Sequence, residues 1–136
     1  MFEISKLLST RMNLSFYLLK IVYGTIALVA GLDKFFHFFS PPNVGIVSPL
    51  VTSVLPLSAS TILYLVGAFE IFIALVIFSK YTKWGASIFM AWYIVIILNL
   101  LSMSGYYMLS LSNAGHAVAN FVLAQLSEFV RKNKYD

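Results

Sequence analysis

Six polar residues stand inside long apolar stretches of this chain, where a polar side chain needs a physical reason. They are Lys34, Glu70, Asn99, Asn113, His116 and Asn120. Ionisable groups in apolar surroundings are costly, so they pair with one another, carry protons or contact a ligand. We therefore take these six residues as candidates for ligand binding or proton transfer.

Glu70 lies near the middle of an apolar run, and three states would make it tolerable there. It is protonated, paired with Lys34, or paired with a protonated His116. Gly67 and Ala74 share its helical face, which points Glu70 towards a neighbouring helix. A buried pair that fixes helix register is the structural interpretation. A proton or ligand site is the functional interpretation.

His116 has three interpretations: a satisfied core histidine, a proton-relay partner of Glu70, or a haem or metal ligand. The only other histidine, His37, has no matching position, so we assign no metal. Asn113 and Asn120 lie three and four residues away on the same face, and we expect them to hydrogen-bond across helices.

Composition places the chain in a membrane. The hydrophobic fraction of its 136 residues is 60% and the charged fraction is 10%, against about 25% charged in soluble domains. The absence of cysteine excludes thiolate catalysis and iron–sulfur clusters. Basic residues lie at the chain ends and in one loop, a distribution that does not favour nucleic-acid binding. The chain has no nucleotide loop, zinc signature or nucleophile elbow, so an enzyme built on it would not use a common soluble-type motif.

Four apolar runs are long enough to cross a bilayer: residues 16–39, 58–78, 84–102 and 107–130. They predict an all-α fold, an integral membrane antiparallel four-helix bundle forming a single transmembrane domain over residues 1–136. Residues 1–15 suit a short helix in the membrane interface that leads into the first span. Four prolines interrupt the apolar stretch 40–60, which predicts a short interfacial or re-entrant helix starting near Ser48.

Small residues predict where the helices approach one another. Gly24, Ala27 and Gly31 share one face of the first span, and Gly67 lies in the second. Such positions let helices pack closely in lipid. The face on the first helix has an alternative interpretation as a docking surface for a partner protein or for a second copy of the chain.

The distribution of cations predicts the orientation. The cations in both terminal segments and in the loop between the second and third spans would lie on one side. The positive-inside rule then places both termini of this multi-pass protein in the cytoplasm.

Several segments resemble the DoxX-like family of small four-helix bacterial inner-membrane proteins. The first span carries G-x-x-K-F, ending at Phe35, and the second carries G-x-x-E-I, from Gly67 to Ile71. The similarity continues through WGASIFMAWYIVIILNLL and covers residues 18–129. Similar sequences carry an Arg-Asp pair early in the fourth helix, where this chain has Ser112 and Asn113. That departure puts a shared ionic mechanism in doubt, although His116 partly substitutes for the pair.

The resemblance implies a membrane subunit or accessory and assembly factor of a redox complex, with a quinone as the cofactor to consider. Relatives are linked to thiosulfate–quinone oxidation, to maturation of periplasmic amine dehydrogenases and to redox-stress complexes. The alternative from the residues is a small proton-coupled transporter, or a protein that binds a lipid or another hydrophobic ligand. Its partners would be the bilayer and either another protein or a second copy.

Overall fold

The structure is a computed structural model that describes residues 1–39 and 47–135. Pro41 and Pro42 fall outside the described residues, with the rest of 40–46 and with residue 136. The described chain forms helices and no strand, so the prediction of an all-α fold is confirmed. The helices are α1 (Phe2–Phe36), α2 (Pro49–Val54), α3 (Ala59–Phe78), α4 (Thr82–Leu101) and α5 (Tyr107–Tyr135).

Three helices, α1, α3 and α4, are long and apolar enough to cross a membrane. These helices contain most of the first three predicted spans, and they indicate membrane insertion. Helix α5 has 29 residues, which is sufficient length. Asn113, His116 and Asn120 lower its hydropathy, however, and it is not among the three.

Helix α1 runs without a break through the segment that we expected to form a separate interfacial helix. No proline interrupts residues 2–36, and the hydroxyl groups of Ser5 and Thr10 donate to carbonyls of the preceding turn. At 35 residues the helix is about 50 Å long. It therefore extends well beyond a hydrocarbon core of about 30 Å. His37 ends it in the left-handed conformation, with φ 53° and ψ 44°.

The short helix predicted near Ser48 is present as α2. The Ser48 side chain accepts a hydrogen bond from the backbone N–H of Val51, and Pro49 occupies the first turn. Proline is well suited to that place because its missing N–H would be unpaired there in any case. Ser58 caps α3 in the same way, by accepting from the N–H of Thr61.

The long helices pack in a closed order, α1 on α3, α3 on α4, α4 on α5 and α5 on α1. Side-chain contacts show that sequential long helices are antiparallel. The Lys20 ammonium donates to the Ser79 carbonyl at the end of α3 (3.0 Å). Lys34, which lies later in α1, donates to Glu70, which lies earlier in α3, so the two helices run in opposite directions. At the end of the structure that carries both termini, Lys83 of α4 pairs with Glu128 of α5 (2.9 Å).

Helices α1 and α3 approach most closely at a pair of glycines. A Cβ added to Gly31 would lie 2.7 Å from the carbonyl oxygen of Gly67, and one added to Gly67 would lie 2.9 Å from that of Gly31. A Cβ on Gly24 would meet the ring of Phe78 at 2.5 Å, and Ala27 is fully buried. Helix α3 covers this face of α1, so the face is not available as a docking surface for another protein.

The buried core is small, and the outside is apolar. Exposed aliphatic and aromatic side chains cover α3 and α4, including Leu65, Phe72, Leu75, Ile94 and Leu98. A soluble monomer rarely exposes apolar patches of more than a few hundred Å². A lipid-facing surface accounts for these side chains. The core consists of Phe16, Tyr23, Ala27, Ile73, Ala74, Ile77, Ala86, Phe89, Tyr93, Ala117, Leu123 and Ala124.

The glycine contact predicts a difference between two chemically identical substitutions. Gly31→Ala should lower the free energy of unfolding by about 1–3 kcal/mol, because the new methyl group presses on the Gly67 backbone. Gly115→Ala is the matched control, since nothing lies within 4 Å of its added Cβ. It should be neutral or stabilising by up to about 1 kcal/mol. Unfolding in mixed micelles, followed by circular dichroism, measures both; equal effects would contradict the close contact.

Candidate functional site

An ion pair between α1 and α3 forms the centre of the candidate site. Lys34 Nζ lies 2.6 Å from Glu70 Oε2, and the Glu70 side chain is only 6% exposed. The indole N–H of Trp92, on α4, donates to the other carboxylate oxygen, Oε1, at 3.4 Å. Three helices thus meet at one carboxylate. Of the three states expected for Glu70, the geometry is that of the pair with Lys34.

The ammonium group of Lys34 has a second protein partner. It donates to the carbonyl of Ala30, one turn earlier in α1, at 3.3 Å. An ammonium group has three N–H donors. Because the bonds to Glu70 and Ala30 use two of them, one donor is left for a ligand.

The ion pair lies in the wall of a cavity of about 920 Å³. All five helices contribute to this cavity, and its walls are mainly aliphatic. Phe69 and Trp92 line it beside the pair, with ring centroids 5.1 Å apart in an edge-to-face arrangement. The volume lies within the range of about 300–1,000 Å³ that is typical of small-molecule sites. The aliphatic side chains that line it include Val51, Val54, Ile62, Val66, Val95, Ile96 and Leu109.

Polar groups also line the cavity away from the ion pair. The side-chain oxygen of Asn99, on α4, accepts a hydrogen bond from the backbone N–H of Ser48 (3.0 Å), which ties the start of α2 to the bundle. Asp33 accepts from the N–H of Phe39 (2.6 Å), and so fixes the chain just after α1. Asn113 and His37 complete the polar lining.

The two remaining candidates, His116 and Asn120, do not line this cavity. His116 Nδ1 lies 3.0 Å from the Tyr23 hydroxyl, which joins α5 to α1. The ring of Tyr93, on α4, stacks on the imidazole with centroids 5.2 Å apart. The structure therefore separates the six candidates into a cavity group and a Tyr–His group, and it does not pair His116 with Glu70.

The amide groups on α5 bond within their own helix. Asn113 Nδ2 donates to the Leu109 carbonyl at 2.7 Å, and Asn120 Nδ2 donates to the His116 carbonyl at 2.9 Å. The expectation that these amides hydrogen-bond across helices is wrong. A carbonyl four residues earlier is within reach of a short amide side chain on any helix, and it needs no partner helix.

Sequence reasoning did not single out Trp92, Ser48 or Tyr23. Trp92 could have been found, because α3 and α4 form a hairpin that turns at residues 79–81. Glu70 lies about as far before this turn as Trp92 lies after it, so the two face each other. Tyr23 and Ser48 gave no such signal, since their partners lie far along the chain.

Within the described ranges, 1–39 and 47–135, no group of three His, Asp or Glu residues is placed to hold a metal ion. No protein family, curated protein or solved structure matches this chain. The geometry of the cavity and its ion pair is therefore the basis for a functional proposal.

The ion pair predicts that removing one partner is worse than removing both. Lys34→Met leaves the buried carboxylate of Glu70 unpaired and should lower the free energy of unfolding by on the order of 3 kcal/mol. The double variant Lys34→Met/Glu70→Gln should recover a large part of that loss, since no uncompensated charge remains. Unfolding by SDS titration measures the double-mutant cycle.

The pair Lys83–Glu128 provides the control, because its side chains are 39% and 32% exposed. Water stabilises each of these charges without the other, so Lys83→Met should have a much smaller effect than Lys34→Met. Strictly additive effects of Lys34→Met and Glu70→Gln would contradict a buried interacting pair.

Proposed function

We propose that the chain is a DoxX-like, multi-pass protein of the cell inner membrane, a four-helix bundle with α5 as its fourth span. Support for α5 as a span comes from its surface: Leu111, Val118 and Phe121 are all more than half exposed. Of its polar side chains, His116 bonds Tyr23 of α1 and Asn120 bonds the backbone of α5 itself, whereas Ser112 and Gln125 are exposed. The surface that α5 would present to lipid is therefore mainly apolar.

Charge supports an orientation with both termini in the cytoplasm. Lys20, Lys83 and Lys132 lie at the end of the structure that carries both termini. Lys34 sits towards the opposite end and is paired with Glu70. Excess cations on the cytoplasmic side are the usual determinant of orientation.

The number of spans has a direct test, because the chain has no cysteine of its own. We expect an impermeant maleimide, added to intact spheroplasts, to label Ser104→Cys and to leave Ser5→Cys and Asn133→Cys unlabelled until the membrane is permeabilised. Four spans place residues 5 and 133 on the same side. Labelling of Asn133→Cys together with Ser104→Cys in intact spheroplasts would show that α5 does not cross.

For function, we infer a non-catalytic membrane subunit or accessory and assembly factor of a redox complex, with a quinone bound in the cavity. The observation that carries this proposal is the cavity of about 920 Å³ with the Lys34–Glu70 pair in its wall. A quinone combines a flat ring, carbonyl acceptors and an apolar tail. The aliphatic walls suit the tail, and the polar groups fit the ring.

The contacts around the ion pair match a quinone ring in two respects. Lys34 retains one N–H donor for a quinone carbonyl, beyond its bonds to Glu70 and Ala30. Phe69 and Trp92 supply aromatic surfaces beside that donor. Opposite charges on Lys34 and Glu70 also favour an uncharged ring over an anionic headgroup, because the pair carries no net charge.

Single-tryptophan variants test quinone binding, since the chain has only two tryptophans. In nanodiscs, Trp84→Phe leaves Trp92 in the cavity, and a short-chain quinone should quench its fluorescence with saturation. Lys34→Met in that background should raise the Kd by about 10- to 100-fold, because a hydrogen bond from a charged donor contributes about 1.5–3 kcal/mol.

Trp92→Phe is the matched control, because it leaves Trp84, which is 64% exposed on the outer surface. Quenching of the Trp84 fluorescence in this variant should follow only the partition of quinone into the bilayer and should not saturate. Equal, non-saturable quenching of both tryptophans would contradict the proposal.

The alternative is a small transporter or a binding protein for a lipid or another hydrophobic ligand. The aliphatic walls of the cavity favour it as far as they favour a quinone tail. Native mass spectrometry separates the two, since a co-purified phospholipid and a co-purified quinone differ in mass. Proton-coupled uptake into liposomes that is lost in Glu70→Gln would favour transport.

A further inference from the structure

A second polar site lies inside the molecule, outside the cavity and not used by the proposed quinone contacts. Tyr23 of α1, Tyr93 of α4 and His116 of α5 come together there, with the hydroxyl of Tyr23 3.0 Å from His116 Nδ1. Tyr23 and Tyr93 are 7% and 6% exposed. Phe89 closes the cluster, with its ring 4.6 Å from that of Tyr93 between centroids.

Asn120 places an orphaned acceptor next to this cluster. Its side chain is fully buried, and its Nδ2 donates to the His116 carbonyl, so the amide is held one helical turn from the imidazole. Its Oδ1 has no hydrogen-bond donor. The other such atom in the described chain is Asn13 Oδ1. From Tyr23, Asn13 lies towards the end of the structure that carries both termini, and from His116, Asn120 lies towards that same end.

An unpaired amide oxygen in an apolar interior is costly, because it has lost its hydrogen bonds to water without gaining a partner in the protein. A buried water makes about three hydrogen bonds to polar groups of this kind. Asn120 Oδ1, the Tyr23 hydroxyl and the imidazole of His116 offer both donors and acceptors to such a molecule. The neighbouring side chains of Phe89, Leu123 and Ala124 offer none.

We propose that Tyr23, His116 and Asn120 form an internal water site, and that the water bound there exchanges protons with the His116 ring. The ligand class is water, because the polar atoms are too few for a larger polar molecule and they lie among packed apolar side chains. Tyr93 lies between this site and the cavity: it stacks on His116 and follows Trp92, which bonds Glu70. The water site does not depend on quinone binding.

Hydroxyl-radical footprinting by X-ray radiolysis tests the site in nanodiscs, since buried side chains are labelled when water lies beside them. We expect Tyr23, which is 7% exposed, to be labelled several-fold more than Phe89, which is 2% exposed and has no polar atom in its side chain. Asn120→Leu should reduce the labelling of Tyr23 to the level of Phe89. Asn113→Leu, the same substitution on the cavity side of α5, should leave it unchanged.

Proton exchange has its own measurement, because the chain contains only two histidines. With ¹⁵N-histidine in a His37→Gln background, water-edited solid-state NMR should show rapid transfer of magnetisation from water to the His116 ring. Asn120→Leu should slow that transfer several-fold.

Labelling of Tyr23 at the level of Phe89 in the wild-type protein overturns the proposal. So does a transfer rate for His116 that Asn120→Leu leaves unchanged. If Asn120→Leu does not fold, the wild-type footprint decides, since it needs no variant. Quinone titration of the same nanodiscs is independent of all these results, so the two proposals fail separately.

Discussion

Charges can be kept in an apolar interior only if their partners are held in place, and the structure meets this constraint at Lys34 and Glu70. The two side chains meet at 2.6 Å because α1 and α3 are in backbone contact one turn away, at Gly31 and Gly67. Any larger residue at either glycine would push the helices apart and lengthen the ion pair. Trp92 then bonds the second carboxylate oxygen, so the position of α4 depends on the same group.

Close packing on one side of the bundle also explains where the cavity lies. Where α1 meets α3, glycines leave no space between the backbones. Beside the ion pair, the larger side chains of Phe69 and Trp92 line the cavity. The short helix α2 crosses this opening, tied to α4 by the bond from Ser48 to Asn99. The contact between α1 and α3 is thus closed by packing, and the space beside the ion pair can hold an apolar ligand.

The sequence predicted most of the secondary structure, because apolar runs, prolines and serine caps act locally. It placed the short helix at Ser48 and proposed Lys34 as a partner of Glu70. It failed where register depends on distant helices. The contact of Tyr23 with His116 joins the first long helix to the last, and no connecting turn sets their relative heights. The separation of His116 from Glu70 follows from that register, so residue spacing could not reveal it.

For the proposed fourth span, α5, hydropathy by residue type leaves out hydrogen bonds that the helix makes to itself. Hydropathy scores Asn113 and Asn120 by residue type, as if their amides faced the surroundings. In the structure each amide N–H donates to a carbonyl of α5 itself, four residues earlier. The backbone of α5 therefore already pairs part of its side-chain polarity, and exposed residues such as Val118 are apolar, whereas Ser112 and Gln125 are polar and exposed. Within α5, the buried Oδ1 of Asn120 still has no hydrogen-bond donor, and a bound water would supply one.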